Sequence, residues 1–172
     1  EKDGTENNYV LGAPELVLRK DYDQCRDEVQ KYAGKGYRVL LFGKYEGELD
    51  GERLRDKVIP YGYILLANPI RQEAPETFAY FAEQGVDVKV ISGDNPLTVS
   101  EVAKEAGIKN ADRYIDASTL RTEEETAEAI AEYTVFGRVT PAQKRQFVQA
   151  LKAQGRTVAM TGDGVNDVLA LK

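Results

Sequence analysis

The chain has 172 residues and a net charge of −6, from 23 basic and 29 acidic side chains, with no histidine and the single cysteine Cys25. That length fits one domain, or one domain plus a fragment, since domains run to roughly 100–200 residues. The missing histidine excludes Ser-His-Asp and Cys-His nucleophile systems, His-ligated zinc and imidazole catalysis; the lone cysteine excludes an internal disulfide and a four-cysteine metal site. There is no basic block of the kind that binds nucleic acid. The longest apolar run, Tyr63–Ala67, is far short of the roughly 18 residues of a membrane span.

Short apolar runs open the chain: Tyr9–Leu11, the break Gly12-Ala13-Pro14, then Leu16–Leu18. A charged helical stretch is expected over Asp23–Ala33 and a strand over Tyr37–Phe42, bounded by Gly36 and Gly43. Residues 44–58 read as a hairpin or loop region. From Tyr61 the pattern becomes strand–helix–strand: a strand at Gly62–Ala67, a break at Asn68-Pro69, a helix over Glu73–Glu83, a strand over Val86–Ile91. Helices are expected at Pro96–Ala106 and Thr122–Tyr133, with a short strand at Thr134–Phe136. Thr140-Pro141-Ala142-Gln143 is a capping box opening a helix that runs to about Ala153, with Phe147, Val148 and Leu151 inward. Arg156–Met160 reads as a strand and Asn166 as the start of a last helix.

Strands that are apolar throughout, alternating with helices, argue a parallel sheet covered on both faces. The expected organisation is an α/β sheet domain from about residue 60 onward, preceded by a smaller, partial α+β piece.

In such sheets ligands bind beyond the C-terminal ends of the strands. Two expected strands end in the same kind of phrase, Ser92-Gly93-Asp94 and Thr161-Gly162-Asp163. The hydroxyl and backbone amides suit phosphate oxygens, the glycine admits close approach, and the carboxylates suit Mg²⁺, which prefers oxygen ligands. Asp163 and Asp167, with Asn166 between them, cluster oxygen ligands at one rim, and the Lys144 ammonium is placed to reach it. Taken alone, Ser-Gly-Asp reads as a turn, Lys144 as a solvated helix residue and Arg38 as an exposed strand residue. Thr161–Asp167, with two Gly, two Asp and an Asn in seven residues, is poor packing material and points to function.

Met160–Lys172 resembles the hinge motif of P-type cation-transporting ATPases, and Val90–Pro96 their second Thr-Gly-Asp motif. Phe136–Pro141 with Lys144 resembles the Phe-x-Arg-Val-x-Pro-x-x-Lys stretch. Gly12–Glu15 resembles the Lys-Gly-Ala-Pro-Glu motif, and Ala67–Arg71 the Asp-Pro-x-Arg return hinge between two domains. The five occur in the family's order across about residues 9–172, with a flavour of the bacterial calcium- or magnesium-type transporters.

The resemblance implies a haloacid-dehalogenase-like, Rossmann-like phosphorylation domain over residues 61–172 and the C-terminal part of a nucleotide-binding domain over residues 1–60. It implies Mg²⁺ and ATP as cofactors, with Asp163 and Asp167 as metal ligands and Asn166 in support. Ser92, Gly93 and Asp94 would bind the transferred phosphate, beside Thr161 and Gly162, and would meet the actuator domain. Lys144 would stabilise phosphoryl charge. Gly12, Ala13, Pro14, Glu15 and Arg38 would face the nucleotide. The transported cation would be handled by membrane helices of the same parent protein, placing this part at the cytoplasmic face of the plasma membrane.

The departures are specific. Leu11 stands where the motif has Lys, Asn68 where the hinge has Asp, and Ser92 where the phosphate-binding Thr is usual. The Asp-Lys-Thr-Gly-Thr motif that carries the phosphorylated Asp is not in this chain, which also opens without Met. The expectation is therefore an excised, soluble fragment of a pump, inactive alone. The alternatives are a stand-alone phosphatase of the same superfamily, or a non-catalytic nucleotide- or partner-binding module. The phosphatase needs an Asp-x-Asp pair after an apolar strand, and the only such pair, Asp21-Tyr22-Asp23, follows Arg19-Lys20 in the other domain.

Overall fold

The computed structural model describes residues 7–48, 54–67 and 69–162. The chain forms two compact units, Glu1–Asn68 and Pro69–Lys172.

The first unit is an antiparallel sheet of three strands in the order β1 (Asn8–Gly12), β2 (Arg38–Tyr45), β3 (Val58–Leu66). Two short helices, α1 (Pro14–Leu18) and α2 (Arg26–Ala33), connect β1 to β2 through a 3₁₀ turn at Arg19–Gln24. Alternation along β2 sends Val39, Leu41 and Tyr45 inward, where Leu41 and Tyr45 join Val17, Leu18 and Val58 in one core. The Tyr45 hydroxyl accepts the amide N–H of Arg55 and of Asp56, which fastens the β2–β3 connection to this core. The register slips between Phe42 and Gly43, where a Cβ on Gly43 would lie 2.6 Å from the Ile59 carbonyl oxygen.

The other face of this sheet is exposed. Tyr9, Leu11, Phe42, Tyr61, Ile64 and Leu66 all present large apolar surface there. Tyr9 stacks on Phe42 at 5.7 Å between ring centroids, and Phe42 meets Tyr61 edge-on at 6.0 Å.

The expected strand Gly62–Ala67 therefore belongs elsewhere than anticipated. Its residues Gly62–Leu66 are part of β3 and pair with β2, inside the compact unit Glu1–Asn68. An apolar strand carries no mark of which sheet it joins; the hairpin partner upstream decided it.

The second unit holds α3 (Ala74–Glu83), β4 (Val90–Ile91), α4 (Pro96–Glu105), β5 (Tyr114–Asp116), α5 (Glu123–Glu132), β6 (Val135–Gly137) and α6 (Pro141–Ala153). The three strands are parallel, in the order β4-β6-β5. Helices cover both faces of the central strand. Val135 packs with Val99, Ala103 and Ala111 on the α4 side. Phe136 packs with Ile130 and Phe147 on the α5 and α6 side. Phe136 and Phe147 are fully buried with ring centroids 4.7 Å apart, and burial of each contributes roughly 1.5–3 kcal/mol.

Helices α4, α5 and α6 each start on a side-chain cap, whereas α3 has none. Asn95 accepts the Leu97 amide at the start of α4, and Thr122/Glu125 and Thr140/Gln143 form capping boxes at α5 and α6. The strand expected at Val86–Ile91 is confined to Val90–Ile91, and the one expected at Arg156–Met160 does not form. A strand exists only through a partner's N–H and C=O groups; apolar composition nominates it but does not pair it. β5 was not anticipated: Tyr-Ile-Asp is too short to show a period.

Candidate active site

All three strands of the second unit end at the same rim because they run parallel. Ser92-Gly93-Asp94 leaves β4 there. The loop is internally fixed, since the Ser92 hydroxyl oxygen accepts the Asp94 amide at 3.1 Å. It is also laced to the end of β6. Ser92 donates its amide to the Phe136 carbonyl, Val139 donates to the Ser92 carbonyl, and Arg138 donates to the Asp94 carbonyl.

Two glycines at this rim differ in what requires them. A Cβ on Gly137 would lie 2.3–2.6 Å from Pro96, so Gly137 is needed for the close approach of β6 to the start of α4. A Cβ on Gly93 would meet nothing nearer than the Val139 carbonyl oxygen at 3.8 Å. Packing within the protein does not demand glycine at 93, whose backbone is exposed.

Lys144 lies in the first turn of α6, half-buried, its amide bonded to the Thr140 carbonyl. The adjacent Gln143 donates to the Ala117 carbonyl at 2.7 Å, tying this turn to the end of β5. Lys144 and the Ser92–Asp94 loop thus follow neighbouring parallel strands.

Two residues at the rim were not singled out from the sequence. Asp116 ends β5, and its Oδ2 accepts Nη1 of Arg138 at 2.6 Å. Its Oδ1 accepts both the amide and the hydroxyl of Ser118. Burial pushes the Asp116 carboxyl up, but the bonds from Ser118 and Arg138 outweigh it and hold the group below the usual carboxylate range. Arg138 stood in the Phe136–Pro141 motif, and Asp-Ala-Ser is a cap-like sequence; neither signal reveals that the two meet across 22 positions.

The expected strand at 156–160 being absent, Thr161 and Gly162 lie in exposed, irregular chain and not at a strand end. Asp163, Asn166 and Asp167 lie outside the described residues, as does Asn68. Among the described residues no three acidic, Cys or His side chains gather to hold a metal ion.

The nucleotide candidates are in the first unit. Gly12 ends β1 opposite Leu41, three residues from Arg38, which puts both at one end of the sheet. Arg38 is exposed, and Leu11 lies on the bare apolar face. Ala13 caps α1 by accepting the amides of Leu16 and Val17 through its carbonyl. Pro14 is buried at the first helical position and Glu15 sits in the first turn. A Cβ on Gly12 would come within 3.1 Å of Val17, so packing already favours glycine there.

A groove of about 230 Å³ lies in the second unit, its lining part apolar, including Phe78, Val86 and Val88, and part polar, including Asp87, Lys109 and Asn110. Val86 and Val88 precede β4, so the groove is at the opposite end of that strand from Ser92 and is not part of the rim.

The sequence model of the haloacid dehalogenase-like hydrolases matches residues 5–172. The chain belongs to that family. The match embraces both units, and the parallel sheet with its strand-end loops is the α/β domain of these hydrolases. Among relatives of this haloacid dehalogenase-like chain, a calcium-transporting ATPase CtpE of Mycolicibacterium smegmatis is 44% identical over 170 residues, 98% of this chain and 21% of that protein. A probable cation-transporting ATPase exp7 of Streptococcus pneumoniae is 40% identical over 94% of this chain and 20% of its own length. A P-type magnesium-transporting ATPase of Salmonella typhimurium is 32% identical over 92% of this chain and 17% of its own length. The chain therefore spans about a fifth of the length of these relatives. Among the described residues no helix is long and apolar enough to cross a membrane.

Proposed function

We propose that this chain is a catalytic portion of an ATP-driven cation pump that cycles through an aspartyl phosphate. What carries the reading is its match, over 94–98% of its length, to proteins named calcium- and cation-transporting ATPases. The rim of the parallel sheet supports it, because Gly93 is exposed beside the Ser92 hydroxyl, and Lys144 begins the helix that follows the neighbouring strand β6.

In this reading Ser92, Gly93 and Asp94 hold the transferred phosphate through the hydroxyl and backbone amides, and meet the actuator domain when the phosphate is released. Lys144 offsets the negative charge that builds on the transferring group. Asp163 and Asp167 are the proposed Mg²⁺ ligands, with Asn166 beside them and Thr161 and Gly162 leading into the site; bound there, Mg²⁺ neutralises phosphoryl charge and orients the oxygens. Gly12, Ala13, Pro14, Glu15 and Arg38 form the nucleotide side, with Arg38 the cation toward the ATP phosphates. The nucleophilic Asp, the actuator and the cation-carrying membrane helices belong to other parts of the pump, at whose cytoplasmic face this portion works. The 172-residue chain is then inactive by itself.

The test is phosphorylation by radiolabelled ATP with Mg²⁺. The whole pump should form an acid-stable, hydroxylamine-sensitive phosphoprotein, and the 172-residue chain should form none. Labelling of the chain alone, or none in the whole protein, would sink the reading.

A further inference from the structure

The loops after β4, β6 and β5 converge on one residue pair, Arg138 and Asp116. Arg138 has φ of 53°, in the left-handed region that a non-glycine residue occupies only where its surroundings hold it. The conformation has a visible consequence. Along an extended strand successive amides point to opposite sides. Here the amides of Arg138 and Val139 both turn to the same loop, reaching the carbonyls of Asp94 at 2.8 Å and Ser92 at 3.0 Å. One left-handed residue thus doubles the backbone ties on the loop that carries Ser92, Gly93 and Asp94.

The side chain of Arg138 is held by Asp116, which is itself immobilised by Ser118. Both carboxylate oxygens are engaged, so the guanidinium docks on a fixed anchor at the end of β5. The same turn receives Gln143 from the first turn of α6, next to Lys144. We infer that Asp116 is a positioning residue: acting through Arg138, it sets the place of the Ser92–Asp94 loop relative to Lys144. This rests on the phosphoryl-transfer reading above for its functional consequence, and on the backbone ties alone for its structural one.

The experiment compares Asp116→Asn, Asp116→Glu, Arg138→Gln and the double variant Asp116→Asn/Arg138→Gln in the whole pump. Affinity for phosphate is read as inhibition by orthovanadate, a phosphate analogue, beside the KM for ATP and the melting temperature. Amide hydrogen exchange is read at Arg138 and Val139. Asp116→Asn and Arg138→Gln should each weaken vanadate inhibition about tenfold, as loss of a residue that orients a site commonly does. The KM for ATP should stay unchanged, the double variant should be no worse than either single one, and Asp116→Glu should recover part of the loss. Exchange at Arg138 and Val139 should quicken in Asp116→Asn.

Unchanged vanadate inhibition in a variant whose melting temperature drops overturns the inference and leaves Asp116 a merely structural residue. So does unchanged exchange at the two amides, or additive losses in the double variant. A wild-type pump that forms no phosphoenzyme sinks the pump reading instead; the exchange comparison then decides the tie by itself, quicker exchange upholding it and unchanged exchange overturning it.

Discussion

Asp116 shows how one side chain acquires an electrostatic consequence from three bonds to two neighbours. Its bonds from the Ser118 amide and hydroxyl and from Arg138 favour the charged form more than burial disfavours it. Glu125 is held low in the same direction by the amides of Arg121 and Thr122, at the start of α5. Carboxyls that bind protons less readily folded than unfolded add stability that is complete above the ordinary carboxylate range and is lost as pH falls through it. Urea unfolding of the chain should accordingly show stability falling progressively as pH drops below about 5. Asp116→Asn and Glu125→Gln should each flatten that fall, and equal slopes in the variants would refute the assignment.

At the scale of elements, β6 and α4 meet closely at Gly137. Gly137 touches Pro96 so closely that any side chain must push the start of α4 outward. α4 begins directly after the Ser92–Asp94 loop, so the displacement would be passed to the rim. Gly137→Ala should destabilise the chain by about 1–3 kcal/mol, the usual range for overpacking, as read by chemical denaturation. Gly93→Ala, with open space around its Cβ, should leave stability within about 0.5 kcal/mol. A glycine scan that reversed this order would refute the packing argument. The elements themselves were legible to different degrees. Helix α6 is legible in the sequence through its capping box and inward apolar residues, because both signals are local. The two residues of β4, the three of β5 and the unpaired stretch 156–160 carry no such local signal, because pairing is a property of two segments.

For the molecule as a whole, the first unit's sheet carries one covered and one bare face. Tyr9, Leu11, Phe42 and Tyr61 form a contiguous apolar patch of the kind that monomeric proteins rarely expose. The 172-residue chain should bind a solvatochromic dye such as ANS in its native state, and Phe42→Ser with Tyr61→Ser should abolish most of that signal without loss of cooperative unfolding. Persistent dye binding in the double variant would place the exposed surface elsewhere. What the sequence by itself determined was the chemistry on offer: no imidazole, two hydroxyl–glycine–carboxylate phrases, a capped helix presenting Lys144, and an α/β sheet to present them. Those follow from residue type and local spacing, which a single chain displays directly. Only the tertiary structure decided that Gly62–Leu66 serves the first sheet, that Asp116 anchors Arg138, and that Arg138 turns two successive amides onto the Ser92–Asp94 loop. Each of these joins residues far apart in the chain, through hydrogen bonds whose partners no local pattern names.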